Sequence, residues 1–124
     1  MTKNSALYEL FSSFGIPAYE ENAVYDLEQA PAFPYLTYQG ITDSFGNTVT
    51  LNVSLWYRST SWADCNALTE TISQTIGNGG KLLPYDGGAI WVKRGTPFAQ
   101  NLGDAADDMI KRKFITLKIE YLES

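Results

Sequence analysis

Thr48-Val49-Thr50-Leu51-Asn52-Val53-Ser54-Leu55-Trp56-Tyr57-Arg58 is the stretch that decides the fold. Val49, Leu51, Val53, Leu55 and Tyr57 alternate with Thr48, Thr50, Asn52, Ser54, Trp56 and Arg58. Successive side chains of an extended chain point to opposite faces, so the pattern predicts one long strand with an apolar face and a polar face that carries Trp56. Upstream, Pro34-Tyr35-Leu36-Thr37-Tyr38-Gln39-Gly40-Ile41 is aromatic and β-branched and predicts a second strand. The turn cluster Asp43-Ser44-Phe45-Gly46-Asn47 lies between the two and makes them a hairpin.

Downstream, Ser61-Trp62-Ala63-Asp64 has the spacing of a capping box with Asp in place of Glu. Trp62, Cys65, Leu68, Ile72 and Ile76 then recur at helical steps, and Gly77-Asn78-Gly79-Gly80 stops the helix. Cys65 sits on that apolar stripe, where a thiol is buried and inert. Short strands at Lys81–Pro84 and Ala89–Lys93 flank the tight turn Tyr85-Asp86-Gly87-Gly88. Gly95–Met109 is read as a polar loop, and Lys111–Leu122 alternates again, giving a second long strand that ties the chain end into the sheet.

At the other end, Ser5 caps a helix through Phe14 with Leu7, Leu10, Phe11 and Phe14 as its stripe, and Gly15 and Pro17 stop it. Residues 16–34 are irregular and acidic, with an extended piece at Ala18–Glu21. The expected fold is α+β: two layers, a mainly antiparallel sheet of about five strands and two helices packed on one face. Two helices cannot hide both faces of such a sheet, so the second face, with Trp56 and Trp91, is a contact surface or is covered by long loops.

Composition narrows function. The 124 residues, 44% apolar and 19% charged, fit a single domain over 1–124, able to bury roughly two-thirds of its unfolded surface. No apolar run approaches the ~20 residues of a membrane span, and the N-terminus lacks the pattern of a signal peptide. With no histidine and one cysteine, Ser-His-Asp triads, Cys-His dyads, His/Cys zinc sites and intrachain disulfides are impossible. A net charge of −5 argues against a chain whose main work is wrapping nucleic acid. Residues 1–80 hold eight acids and two bases, whereas residues 81–124 hold seven bases and six acids. Two differently solvated faces account for that asymmetry, and copies stacking head to tail would also use it.

The chemical motifs are weak. Asp104, Asp107 and Asp108 lack the alternating ligands and central glycine of a calcium loop, and a capped helical turn accounts for them. Glu20-Glu21 and Asp26/Glu28 offer carboxylates for a glycosidase pair, but nothing fixes their separation. Neither glycine cluster leads into a phosphate-cradling helix start. Lys93-Arg94 with Lys111-Arg112-Lys113 is a slight phosphate footprint, equally explained as edge-strand charge that blocks aggregation. No cofactor, metal or catalytic residue is expected.

The order of segments carries more. Phe33-Pro34-Tyr35-Leu36-Thr37-Tyr38, then Leu51–Trp56 with Tyr57-Arg58-Ser59, the helix from Trp62, Gly88-Ala89-Ile90-Trp91-Val92-Lys93-Arg94-Gly95-Thr96-Pro97-Phe98-Ala99-Gln100, and the closing Ile110-Lys111-Arg112-Lys113-Phe114 with Ile119-Glu120-Tyr121-Leu122 resemble the tail-terminator (tail-completion) proteins of tailed bacteriophages and prophages, some of which go by the name of minor capsid or head-tail joining proteins. The likeness spans residues 33–122. It implies a non-enzymatic α+β subunit, assembled in the bacterial cytoplasm into the virion tail or neck. Its partners would be copies of itself in a ring, typically a hexamer, the tail-tube protein and the head-tail connector, with no membrane and no sequence-specific nucleic acid. Subunit and partner contacts are expected at Trp56, Arg58, Trp91, Lys93, Arg94, Phe98, Asp104, Asp107 and Asp108. The alternatives are a head-side minor capsid or connector-completion protein and, from another class, a small hydrolase using carboxylates without metal or histidine.

Overall fold

The alternating run at Thr48–Arg58 forms strand β3, and the alternating C-terminal run forms its full-length antiparallel neighbour β6 (Ile110–Glu123), from Thr48↔Glu120 to Arg58↔Ile110. The computed structural model describes residues 2–25, 27–40, 48–103 and 106–123. Its other elements are α1 (Lys3–Ser12), β1 (Ala18–Glu20), α2 (Glu21–Tyr25), β2 (Tyr35–Tyr38), α3 (Ala63–Ile76), β4 (Lys81–Tyr85) and β5 (Gly88–Gly103). The six strands make one sheet in the order β1-β2-β3-β6-β5-β4. Among the described residues β1 is parallel to its neighbour β2, and the remaining pairs are antiparallel.

One face of this sheet is the core. Leu51, Val53 and Leu55 of β3, Ile90 and Val92 of β5, and Ile115, Leu117, Ile119 and Tyr121 of β6 are each at most 2% exposed. Leu7, Leu10 and Phe11 of α1 and Cys65, Ile72 and Ile76 of α3 pack onto them. Each large apolar side chain so buried stabilises the fold by about 1.5–3 kcal/mol. α1 touches both edge strands, β1 and β4, so the sheet curls around it and leaves a convex outer face.

The α+β class and the strong strands agree with the sequence, but several details differ. Among the described residues the sheet has six strands, it is mixed, and three helices accompany it, because Ala18–Glu20 pairs with β2 and Glu21–Tyr25 closes into a short helix. Thr2, not Ser5, caps α1: its Oγ1 accepts the Ser5 N–H at 3.1 Å, and the helix ends at Ser12. The capping box does not form either. Ser61 Oγ accepts the Ala63 N–H at 3.0 Å, and α3 begins one residue later than the box requires.

The largest correction concerns Gly95–Met109. It is not a loop through its first half: β5 continues to Gly103 against β6, interrupted by a bulge between Arg94 and Ala99. Pro97, which has no N–H to give a ladder, lies within that bulge. Gly95 allows the close approach beside it, since a Cβ there would fall 2.6 Å from Thr116 Cγ2. The turn cluster Asp43–Asn47 and Asp104 lie outside the described residues.

Candidate interaction surface

The strand register assigns the outer face residue by residue. Tyr19 lies level with Thr37, Tyr35 opposite Trp56, Thr37 opposite Ser54, Trp56 opposite Arg112 and Ser54 opposite Phe114. Four neighbouring strands therefore bring aromatic rings and a guanidinium into one row. Tyr19 meets Tyr35 edge to face at 6.2 Å, and Phe33 leans on Tyr35 at 5.4 Å. Tyr35 and Trp56 stack at 6.0 Å with their planes 13° apart. The Arg112 guanidinium carbon sits 4.7 Å from the Trp56 ring centre and 5.4 Å from that of Phe114.

Hydrogen bonds hold this row in place. The Trp56 indole N–H donates to Thr37 Oγ1 at 3.0 Å, and Arg112 Nε–H donates to Ser54 Oγ at 3.1 Å. Thr37 and Ser54 are buried beneath the larger side chains, so these bonds satisfy hydroxyls that would otherwise lose their water. Burial raises the Tyr35 phenol above its ordinary value, partly offset by the Arg112 charge. Stacking a guanidinium against rings adds roughly 0.5–2 kcal/mol per contact and leaves its terminal nitrogens for a partner.

The outer face also gathers exposed apolar groups. Leu82 is 58% exposed and lies opposite Trp91, and Leu102 is 36% exposed and lies opposite Arg112. Arg58, Lys93, Arg112 and Lys118 share this face with Glu120, and Arg58 is paired with Asp107. Both sheet edges are poor templates for adding a strand. β1 has three residues, and β4 carries Pro84.

Of the residues expected to make contacts, Trp56, Arg58, Trp91 and Lys93 lie on this face. Trp91 is pinned by its indole N–H to the Gly79 carbonyl at 2.9 Å, and the Lys93 ammonium lies 4.3 Å from its ring centre. Arg94 points to the helix side, where it donates to Ser73 Oγ at 2.9 Å and to Asn78 Oδ1. Phe98 packs partly against the core at the bulge. Residues 106–109 form a turn rather than a helical start: Asp107 Oδ1 accepts the Met109 N–H at 2.9 Å, and its other oxygen pairs with Arg58. The Met109 N–H and Arg58 hold the Asp107 carboxyl below its ordinary value. Asp108 is exposed, and its carbonyl oxygen accepts from Lys111.

Lys111-Arg112-Lys113 is on the interior strand β6, not at a sheet edge, whereas Lys93-Arg94 follows Val92, the last β5 residue paired with β4; both runs alternate between the two faces. Lys113 turns inward and is 8% exposed, donating to Asn66 Oδ1 at 2.6 Å and to Asn101 Oδ1 beside the Trp62 ring. Burial pushes the Cys65 thiol up, and neighbouring Lys113 offsets this only in part.

Two grooves flank α1. One of about 330 Å³ holds Glu9 and Lys81 among its lining, and the other, of about 340 Å³, holds Glu20. Each contains a single carboxylate. Among the described residues no group of three or more acidic or cysteine side chains is placed to hold a metal ion, and no helix is long and apolar enough to cross a membrane.

Sequence reasoning found Trp56 but missed Tyr19, Tyr35, Arg112 and Phe114 as the rest of its row. Half of the signal was present: counting back by twos from Lys118 and Thr116 on β6 reaches Phe114 and Arg112. No family model, curated protein or solved structure matches the chain.

Proposed function

We propose that this protein is a structural component of a tailed-phage particle, a tail-completion subunit that closes into a ring, typically a hexamer, on the end of the tail tube. There it stops tube growth and offers a surface to the head connector. The observation that carries this reading is the convex outer face, where Tyr35, Trp56, Arg112 and Phe114 form a pre-ordered row. A convex aromatic surface suits another macromolecule better than a small substrate, which needs concave walls. Aromatic and arginine side chains held in fixed rotamers are the usual anchors of such contacts, because little side-chain entropy remains to be lost. The segment order over residues 33–122 points the same way.

The test is tube polymerisation in the presence of the purified protein, followed by electron microscopy. Tubes should stop at a fixed length with a ring at one end. Tubes that grow unchecked, with the protein cross-linking to connector subunits instead, would move the role to the head side. Turnover of a glycoside or ester substrate that is lost on changing Glu9 or Glu20 to Gln would replace the reading with a hydrolase.

A further inference from the structure

The outer face has a chemical complement elsewhere on the same chain. No lysine or arginine occurs between Lys3 and Arg58, and the chain after β1 carries the exposed Glu21 and Glu28, with Leu27, 41% exposed, next to Glu28. Acids next to an exposed leucine are what a face of arginine, lysine and aromatic edges would accept. Within one molecule β1 is an edge strand, three places from β6 in the sheet, so its end lies about 14 Å from the strand that carries Arg112. The acidic edge therefore reaches the Arg112 guanidinium of a neighbouring copy more readily than its own.

We infer that the occupant of the outer face is the acidic β1–α2 edge of a second copy, with Glu21 and Glu28 meeting Arg112 and Lys118 and Leu27 seated against the aromatic row. Such a contact joins two different patches, so it repeats head to tail and either closes into a ring or continues as a filament. The rings argue against single-stranded nucleic acid as the occupant. Bases stack on open ring faces, whereas here Tyr35 and Trp56 cover each other and Arg112 covers Trp56 and Phe114. What remains outward are ring edges and the guanidinium fork, which suits a carboxylate.

This inference rests on the self-assembly reading above, and the experiment separates the two. Sedimentation velocity is run on the wild type, on Arg112→Glu, on the double variant Glu21→Arg/Glu28→Arg, and on an equal mixture of the two variants, with circular dichroism confirming that each is folded. Self-association should weaken about tenfold or more in each variant alone and should return on mixing, because each supplies the surface that the other lacks. A fluorescent oligo-dT 20-mer is titrated in parallel and should not bind appreciably. Association that is indifferent to both variants, or a wild type that stays monomeric at the highest concentration, overturns this contact while tube capping can still occur. Tight oligo-dT binding that Arg112→Glu abolishes overturns it in favour of nucleic acid.

Discussion

The two faces of the sheet solve opposite problems with the same strands. On the inner face, Leu55, Val53 and Leu51 stand beside Ile115 and Leu117 and vanish under α1 and α3, so their energy comes from leaving water. On the outer face, Trp56, Tyr35, Arg112 and Phe114 remain partly exposed and are fixed by stacking and by bonds to Thr37 and Ser54. The inner face is ordered because it is buried; the outer face is ordered in advance of any burial. Side chains held that firmly at a surface have less freedom to lose when a partner arrives.

Substitutions can test that contrast. The largest effect belongs to the core: Leu55→Ala should lower stability by about 2–5 kcal/mol through lost burial and the cavity left behind, measured as a shift in urea midpoint. A loss under about 1 kcal/mol would mean that the inner face is looser than its burial implies. Next comes Trp56→Ala, which removes the stack on Tyr35, the contact with Arg112 and one hydrogen bond, and should cost about 1–3 kcal/mol while the chain stays folded. That variant should fail to cap tubes. Collapse of the fold would instead make Trp56 part of the core.

Arg112→Lys sharpens the contrast further. Its cost to stability should be small, because Ser54 can still be reached by a cation or by water, yet the planar fork is lost. Self-association should fall with little change in urea midpoint. Equal behaviour to the wild type would show that charge alone suffices.

The smallest effect lies at the rim. Asp107 is held below the ordinary carboxylate value of 3.8, first by the Met109 N–H and then by Arg58. A depressed carboxyl contributes stability that is present above its unfolded value and is lost as pH falls through the folded one. Asp107→Asn should therefore be slightly less stable than the wild type above about pH 4, and the gap should close below it. A gap that persists at about pH 2 would show that the carboxylate charge does not carry the effect, since an asparagine oxygen there still accepts the Met109 N–H.

The inner face was legible in the sequence because a period of two over eleven residues leaves a strand little choice, and Trp62, Cys65, Leu68, Ile72 and Ile76 mark one helical stripe. The continuation of β5 past Arg94 was not. Gly95 and Pro97 interrupt a strand by local preference, and pairing with the long β6 ladder carries the strand through a bulge there. The outer row was half legible for a related reason. Trp56 declares its face through its own strand, but its meeting with Tyr35 and Arg112 depends on register between strands distant in sequence, which local patterning does not encode.

Hydroxyl-radical footprinting of the free and tube-bound protein tests the central claim most directly. Tyr35, Trp56 and Phe114 should be oxidised readily in the free chain and become protected on the tube. Equal oxidation of these three side chains in both states would contradict the account, because the outer face would then be idle where the protein works.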